Sequence, residues 1–185
     1  MVLGDGGRAC VRNIFRLNEA MPHSELRQDL VSGDWIVIAP RRGSRPQEFK
    51  TSRPRARASL RVCPFERVEQ GEVKRVILRY GNARGWKTLV LPNKYPAFTK
   101  KEVCPVFLHR GLYSVTEGVG HHDLVVTRDH HTNFSGLNAE EASLVFQAFR
   151  ERYLMLGEDP CVGYVSIFQN WGPLAGASLY HPHYQ

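Results

Sequence analysis

Residues 181–185 read His181-Pro182-His183-Tyr184-Gln185, and this pentapeptide is the most informative stretch of the chain. Side chains two positions apart in an extended strand project from the same face, so His181 and His183 are expected to lie side by side. A neutral imidazole is a nucleophile near pH 7 without a separate base. Two histidines at this spacing could instead bind a metal without catalysis, or carry no function, and the pentapeptide alone leaves these readings open.

The segment just upstream is rich in small residues. It reads Asn170-Trp171-Gly172-Pro173-Leu174-Ala175-Gly176-Ala177-Ser178. Backbone N–H groups of such a loop can face an anion. Taken with the two histidines and Gln185, the loop indicates a histidine placed beside a phosphate group.

The composition limits the class of protein. The chain has 185 residues, 42% of them apolar, which fits one globular domain with a core. No apolar run approaches the roughly 18 residues of a membrane span, and residues 1–21 make a poor signal peptide. The four scattered cysteines do not resemble a compact disulfide framework, which favours reduced thiols and a cytoplasmic location. They are Cys10, Cys63, Cys104 and Cys161.

Positive charge is concentrated in residues 41–61. This segment holds seven arginines and Lys50 against one acidic residue, Glu48, so its net charge of +7 equals that of the whole chain. Such a patch could bind nucleic acid, but no nucleic-acid motif accompanies it, and a solvated Arg-rich loop is the interpretation we favour. A further alternative is that an arginine of this segment attracts a small phosphorylated substrate, with Arg41, Arg42 and Arg45 as candidates.

The order of predicted elements favours an α+β fold with an antiparallel sheet. Residues 1–22 are interpreted as a leader that could be disordered, and the domain is expected over residues 23–185. Strands are expected at residues 35–39 (buried), 73–80 paired with 87–91, 123–127 and 162–168. Strands and helix are segregated along the chain, which is typical of α+β proteins. The Gly-rich motifs that cradle phosphates at helix N-termini are absent from the sequence.

One long helix is predicted after Asn138. Asn138 is a suitable N-cap, and Glu141 three residues later completes a capping box. Gly157 suits the position that follows a helix. Apolar residues recur at helical spacing in between and predict a core-facing stripe without a cofactor role. They are Ala142, Val145, Phe146, Phe149, Tyr153 and Leu156.

The ordered landmarks of the chain resemble a known family, the galactose-1-phosphate uridylyltransferases. These proteins form the nucleotidyl-transferring branch of the histidine-triad superfamily, and the resemblance spans residues 24–185. It implies a histidine-triad-like antiparallel sheet with one long helix, as one half of a tandem two-unit protein. The similar ADP-glucose phosphorylase group also fits residues 95–97 and 175–178. The landmarks are Ser24–Arg27, Ser32–Pro40, Arg45-Pro46, Cys63–Phe65, Asn93–Ala97, Gly120–Asp123, Phe168–Asn170 and His181–Gln185.

The resemblance implies a double displacement with His183 as the covalent carrier. His183 would take UMP from UDP-glucose and pass it to a hexose 1-phosphate, galactose 1-phosphate in the named family. Hydrolase branches of the superfamily carry a third histidine where this chain has Gln185. An amide forms hydrogen bonds without ionising, so Gln185 favours transfer over hydrolysis.

The resemblance also implies roles for several binding residues. Asn170, Gly176 and Ser178 match positions that hold the phosphates. Asn93 and Phe65 match positions near the base and ribose, although a turn-forming Asn and an ordinary core Phe remain alternatives. Arg45 is the remaining substrate-binding candidate.

Family members often carry a structural zinc, which maps here to Cys63, Glu66, His131 and His181. His130 is a rival to His131. Glu66 stands where the family usually has a second cysteine. Since carboxylate oxygen can bind Zn²⁺, the metal remains possible, but its affinity should be lower and its selectivity broader.

The family precedent implies partners beyond this chain. A C-terminal half and a second subunit would complete the active sites, so little or no turnover is expected from the 185 residues alone. Two alternatives remain open: an enzyme that phosphorolyses ADP-glucose with the same nucleophile, and an inactive module that binds nucleotide or metal. Nucleic acid and membrane are not expected partners.

Overall fold

The computed structural model describes residues 23–44, 60–68, 75–83, 85–172, 174–177 and 179–185. The leader predicted at residues 1–22 and most of the Arg-rich segment lie outside the described residues. The described ranges contain one long helix, α1 (Ala139–Gly157), and the following strands: β1 (Glu25–Gln28), β2 (Trp35–Ile38), β3 (Leu78–Asn82), β4 (Gly85–Pro92), β5 (Leu108–Arg110), β6 (Tyr113–Glu117), β7 (Asp123–Thr127) and β8 (His183–Tyr184).

The strands form two antiparallel sheets. The first sheet has the order β2-β1-β6-β5 and the second has the order β3-β4-β7-β8. Every pair of neighbouring strands in both sheets is antiparallel. The predicted α+β fold with antiparallel strands and one long helix is therefore confirmed, and the division into two sheets is an addition to that prediction.

Three of the predicted strands lie in the second sheet, and the end of a fourth predicted strand lies beside it. β7 has the predicted bounds, and β3 and β4 form the predicted antiparallel pair. Residues 162–168 are not assigned as a strand. Phe168 nevertheless exchanges two backbone hydrogen bonds with Gln185, at N···O distances of 3.1 and 2.8 Å. The end of this segment thus lies beside β8 as a fifth extended stretch.

β2 corrects the prediction of a buried strand at residues 35–39. Trp35, Ile36 and Val37 are all exposed. Among the described residues, β2 is an edge strand whose single partner is β1, and α1 packs on β3, β4 and β7 of the other sheet. An apolar run of this kind predicts a strand correctly, but it does not determine what covers the strand.

The N-terminus of α1 confirms the predicted capping box. Asn138 Oδ1 accepts a hydrogen bond from the Glu141 backbone N–H at 2.9 Å, and Glu141 Oε2 accepts one from the Asn138 N–H at 3.2 Å. Each side chain therefore satisfies a backbone donor that the first turn of a helix leaves without a partner.

The buried stripe of α1 differs from the prediction. Val145, Ala148 and Leu156 are buried, whereas Phe146 and Tyr153, which were expected in the core, are exposed. The face in contact with the sheet is therefore rotated toward Ala148. Gly157 is the last helical residue, and Glu158 continues in the right-handed region, so the predicted glycine cap after the helix is wrong.

Different segments of the chain pack on the two faces of the second sheet. Val90, Val125 and Tyr184 lie on the face that packs against α1, which we call the helix face. Alternate residues of the same strands project to the other side, where residues 60–68 cover them. We call this the histidine face, since His183 projects there from β8, opposite Val126.

Cysteine pairing corrects another expectation. Cys104 and Cys161 form a disulfide that links two segments 57 residues apart in sequence. The four cysteines are therefore not all reduced, and the cysteine argument for a cytoplasmic location does not hold. Cys63 is a buried free thiol.

In the part of the chain that the structure describes, no helix has the length and apolar character needed to cross a membrane.

Candidate functional site

β8 and residues 60–68 bring the two histidines of the pentapeptide to one side of the sheet. The ring centroids of His181 and His183 lie 5.3 and 5.6 Å from that of Phe65. Both histidines are buried, with 1% and 5% of their surface exposed. A short 3-10 helix, Leu60–Val62, precedes the turn that presents Cys63 and Phe65. The side-by-side arrangement predicted from the strand period is thus observed.

A compact group of metal-binding side chains lies at the first histidine. Cys63, His130 and His181 each offer a ligand atom, and these atoms lie within 4.8 Å of one another. His181 Nδ1 is 3.5 Å from Cys63 Sγ and 3.1 Å from His130 Nδ1. Glu66 Oε1 is 3.6 Å from both histidine Nδ1 atoms. One thiolate, two imidazoles and one carboxylate form a donor set that zinc accepts.

The backbone determines which nitrogen of His181 faces this group. His181 Nε2 donates a hydrogen bond to the Thr127 carbonyl at 2.8 Å. A carbonyl only accepts, so the ring proton is on Nε2 and the lone pair is on Nδ1. Burial lowers the pKa of His181 to about 4, which keeps the ring neutral. A neutral imidazole oriented by a backbone carbonyl is the form that binds a metal.

Glu66 is held in place by an arginine on the other side of its carboxylate. Arg128 Nη1 donates to Glu66 Oε2 at 2.8 Å. The Arg128 guanidinium carbon in turn lies 4.8 Å from the centre of the Trp86 ring. This arrangement commits Oε2 to the arginine and leaves Oε1 directed toward His130 and His181. The residues present therefore fit a zinc ion.

His130, rather than His131, lies in this group. His130 is buried, whereas His131 is exposed and packs against the edge of the His130 ring. Asp129 Oδ1 accepts hydrogen bonds from the backbone N–H groups of His131 and Thr132, which lowers the pKa of its carboxyl. This tight turn directs His130 inward. The structure therefore places His130, and not the predicted His131, in the group of metal-binding side chains.

His183 has the opposite tautomer to His181. Its Nδ1 donates a hydrogen bond to the His181 carbonyl at 2.9 Å, which leaves the lone pair on Nε2. Burial lowers the pKa of His183, so the ring is neutral near pH 7. A neutral ring with a lone pair on Nε2 can act as a nucleophile or as a ligand.

Gln185 lies in a polar group next to His183. His122 Nε2 is 2.9 Å from Gln185 Oε1 and 3.1 Å from Asn93 Nδ2. On the other edge of the ring, His122 Nδ1 accepts from the Ala97 backbone N–H at 2.8 Å. The predicted residues Gln185 and Asn93 are thus brought together by a histidine that the prediction did not include.

The structure describes three of the remaining predicted binding residues, Phe65, Asn170 and Gly176. Phe65 belongs both to the core and to the site, because it is buried among aliphatic residues and touches both histidine rings. Asn170 is half-buried. Gly176 is exposed, with φ at 74° and open space where a Cβ would be, so the backbone conformation alone accounts for this glycine. Ser178 and Arg45 lie outside the described residues.

Two residues of the site were not singled out for it from the sequence. Neither His122, which lies within the landmark Gly120–Asp123, nor Arg128 was predicted to belong to the site. The register of β7 against β8 brings His122 to Gln185, and the fold of residues 60–68 brings Glu66 to Arg128. Both depend on pairings of distant segments, so no local pattern indicates them.

An antiparallel sheet with one long helix on one face, and with the histidine side chains of a His-Pro-His segment on the other, is the architecture of the histidine-triad-like proteins. Residues 14–185 match the family model described as "Galactose-1-phosphate uridyl transferase, N-terminal domain". The chain therefore belongs to the galactose-1-phosphate uridylyltransferase family, as its sequence landmarks predicted.

Three comparisons agree with this assignment. The chain is 28% identical over 165 residues to an ADP-glucose phosphorylase of Arabidopsis thaliana, covering 87% of the chain and 47% of the relative. It is 28% identical over 164 residues to a galactose-1-phosphate uridylyltransferase of Thermotoga maritima, covering 87% and 45%. A solved structure described as a uridylyltransferase superposes with a TM-score of 0.56 at 25% identity, covering 86% of this chain and 44% of the other. The chain thus spans about half the length of these proteins.

Proposed function

We propose that this chain carries the nucleotidyl-transfer site of a sugar-nucleotide enzyme, with His183 as the nucleophile. The reaction would move uridine monophosphate from UDP-glucose to galactose 1-phosphate. The observation that supports it most is the hydrogen bond from His183 Nδ1 to the His181 carbonyl. It leaves an unprotonated Nε2 on a neutral ring, beside an amide that cannot ionise.

The chemistry divides into two displacements at one phosphorus atom. In the first, the Nε2 lone pair bonds to the α-phosphorus, the bond from that phosphorus to the bridging oxygen breaks, and glucose 1-phosphate leaves with the electron pair. In the second, a phosphate oxygen of galactose 1-phosphate attacks the same phosphorus, and Nε2 recovers its lone pair. Neither displacement needs a side-chain base, because the first uses the lone pair of a neutral imidazole and the second uses an ionised phosphate oxygen. Gln185 would hold the phosphoryl oxygens by hydrogen bonds throughout.

The metal group has a structural role in this proposal. Cys63, Glu66, His130 and His181 would hold a zinc ion, which supplies a cross-link between residues 60–68, the loop after β7 and the strand that carries the nucleophile. His181 would then fix the backbone carbonyl that orients the His183 ring. The chain itself would then contribute the nucleophile His183, its orientation by the backbone, and the amide of Gln185.

The full activity is proposed for a longer assembly. Because the chain spans about half the length of its relatives, we propose that a C-terminal half and a homodimer partner complete the site. The chain alone would then become labelled by nucleotide but would give little turnover.

Labelling by nucleotide tests the proposed nucleophile. We expect UDP-glucose with ³²P at the α-phosphorus to give an acid-labile, base-stable adduct on this chain. His183→Ala should abolish the adduct, since the variant lacks the attacking atom. His131→Ala is the matched control, because this histidine is exposed and should leave labelling unchanged. An adduct that survives His183→Ala would exclude the proposal, and loss of the adduct supports it when a cooperative thermal melt shows that the variant is folded.

A second candidate is an enzyme that phosphorolyses ADP-glucose through the same histidine. It is favoured by the Arabidopsis thaliana relative, which has the same 28% identity to the chain as the Thermotoga maritima one. Parallel labelling with α-³²P ADP-glucose and α-³²P UDP-glucose distinguishes the two. Faster labelling by the adenine nucleotide, with release of ADP on addition of inorganic phosphate, would favour the phosphorylase. Labelling by neither would leave a module that binds nucleotide or metal without chemistry.

A further inference from the structure

Gln185 is held by the side chain of His122, which lies directly before β7. His122 Nε2 and Gln185 Oε1 are 2.9 Å apart. We infer that His122 is a positioning residue that fixes the orientation of the Gln185 amide beside the reacting phosphate. The role of the amide in the reaction rests on the proposed function, but the orientation itself does not.

The position of the proton on His122 follows from a backbone donor. The Ala97 N–H points at His122 Nδ1 at 2.8 Å, and Arg42 Nη1 lies 3.2 Å from the same atom. A backbone N–H and a guanidinium can only donate, so Nδ1 must present its lone pair. The ring proton is therefore on Nε2. A second proton on Nδ1 would face both of these donors, so the ring is kept neutral.

The tautomer in turn fixes the amide of Gln185. The oxygen and nitrogen of a glutamine side chain are usually assigned from their hydrogen-bond partners. Because His122 Nε2 carries a proton, its partner 2.9 Å away must be the amide oxygen of Gln185. The NH₂ group then projects from the other side of the amide. Gln185 would thus offer a phosphoryl oxygen hydrogen-bond donors only, which suits an anionic substrate.

His122 is itself held by the turn after β4. The backbone carbonyl of His122 accepts a hydrogen bond from the Asn93 N–H at 2.9 Å, and Asn93 Oδ1 accepts one from the Tyr95 N–H at 2.9 Å. Asn93 Nδ2 is therefore the atom that faces His122 Nε2, at 3.1 Å. Two hydrogen-bearing nitrogens do not bond to each other, so this contact is packing that limits rotation of the ring. The turn after β4 thus determines how Gln185 is presented.

Two substitutions of His122 separate its hydrogen bonds. Asparagine can place an acceptor near the position of Nδ1 but has no atom near Nε2, so His122→Asn should keep the bond from Ala97 and lose the one to Gln185. Glutamine can place a donor near Nε2. We expect His122→Asn to slow nucleotide labelling of His183 about tenfold, the usual effect of one hydrogen bond, and His122→Gln to restore most of the rate.

A double-mutant cycle tests whether His122 acts through Gln185. If it does, His122→Asn should have no further effect on labelling in a Gln185→Ala background. His121→Asn is the matched control, because His121 Nε2 pairs with Asp159 instead; this variant should label at the parent rate. Independent effects of His122→Asn and Gln185→Ala, or an unchanged rate in His122→Asn, would overturn the inference.

Imidazole ¹⁵N spectra of the intact chain provide a readout independent of catalysis. We expect His122 as the neutral Nε2–H form, with an Nε2–H signal that shifts in Gln185→Ala. An Nδ1–H or doubly protonated ring would overturn the inference, whatever the labelling shows. If the chain forms no adduct but His122 has the expected signals, the proposed function fails while the orientation of Gln185 by His122 stands.

Discussion

The helix face and the histidine face of the second sheet come from alternate residues of the same strands, yet they are held in different ways. On the helix face, Val90, Val125 and Tyr184 meet Val145 and Ala148 of α1. These contacts are apolar. The histidine face has the same kind of aliphatic layer, but histidines and a thiol are buried beside it, next to the half-buried Glu66 carboxylate. Apolar packing therefore supports both faces, while the buried group of metal-binding side chains lies on the histidine face.

On the histidine face, two buried imidazoles donate hydrogen bonds to backbone carbonyls, and His181 also contacts the side chains of Cys63 and His130. His181 donates to the Thr127 carbonyl and His183 to the His181 carbonyl. Burying such groups without partners would be strongly unfavourable. Because these partners are main-chain atoms, the backbone orients both rings, and this is where the histidine face differs from the helix face.

Removal of aliphatic side chains should affect either face strongly. Leu91 is 1% exposed on the histidine face, and Leu91→Ala should lower the free energy of unfolding by about 2–5 kcal/mol. Leu154→Ala is the matched control, because this leucine of α1 is 51% exposed; it should change stability by less than about 0.5 kcal/mol. Urea unfolding measures both. Equal losses in the two variants would show that the aliphatic layer is not what supports the sheet.

Zinc should distinguish the two faces. At a free concentration 100 times its Kd, zinc bound to the folded chain should raise the free energy of unfolding by about 2.7 kcal/mol. Cys63→Ser should remove most of this increase, since it deletes the thiolate. Thermal melts with zinc and with a chelator measure the difference.

The control for the zinc experiment lies on the helix face. Val145→Ala should lower the Tm of the chain but keep the increase caused by zinc, because Val145 packs on the opposite side of the sheet. If zinc fails to raise the Tm of the parent chain, or raises that of Cys63→Ser equally, the assignment of Cys63, Glu66, His130 and His181 as ligands is wrong.

The smallest predicted effect concerns the attachment of α1. Asn138→Ala removes the side chain that caps the helix and should lower the free energy of unfolding by about 0.5–2 kcal/mol. Gln147→Ala, at an exposed position of the same helix, should stay within about 0.5 kcal/mol of the parent chain. Zinc affinity, measured by titration, should be unchanged in both variants. A loss of zinc binding in Asn138→Ala would mean that the two faces are not independent.

Local chemistry was sufficient to predict several parts of the fold. The capping box at Asn138, the bounds of β7 and the common side of His181 and His183 depend on spacing within a few residues, and all are observed. Features that depend on distant segments were missed or wrongly assigned. The disulfide between Cys104 and Cys161 and the exposure of β2 are examples, because neither follows from the residues nearby.

The candidate site shows the same division. His130 and His131 are adjacent, and the choice between them is made by a turn around the Asp129 carboxylate that spacing does not reveal. The exposed Phe146 and Tyr153 of α1 show that an apolar stripe identifies a helix more securely than its contact face. The position of His122 beside Gln185 depends on the register of β7 against β8, which the sequence does not reveal.

The main-chain oxygen of the residue two positions earlier in the chain determines which nitrogen of the proposed nucleophile carries the proton. No substitution of a neighbouring side chain can delete that acceptor. Drift of the surrounding sequence could therefore alter which base or sugar is accepted while the reactive nitrogen stays available. A nucleophile oriented by the backbone therefore allows the substrate preference to change while the chemical step stays the same.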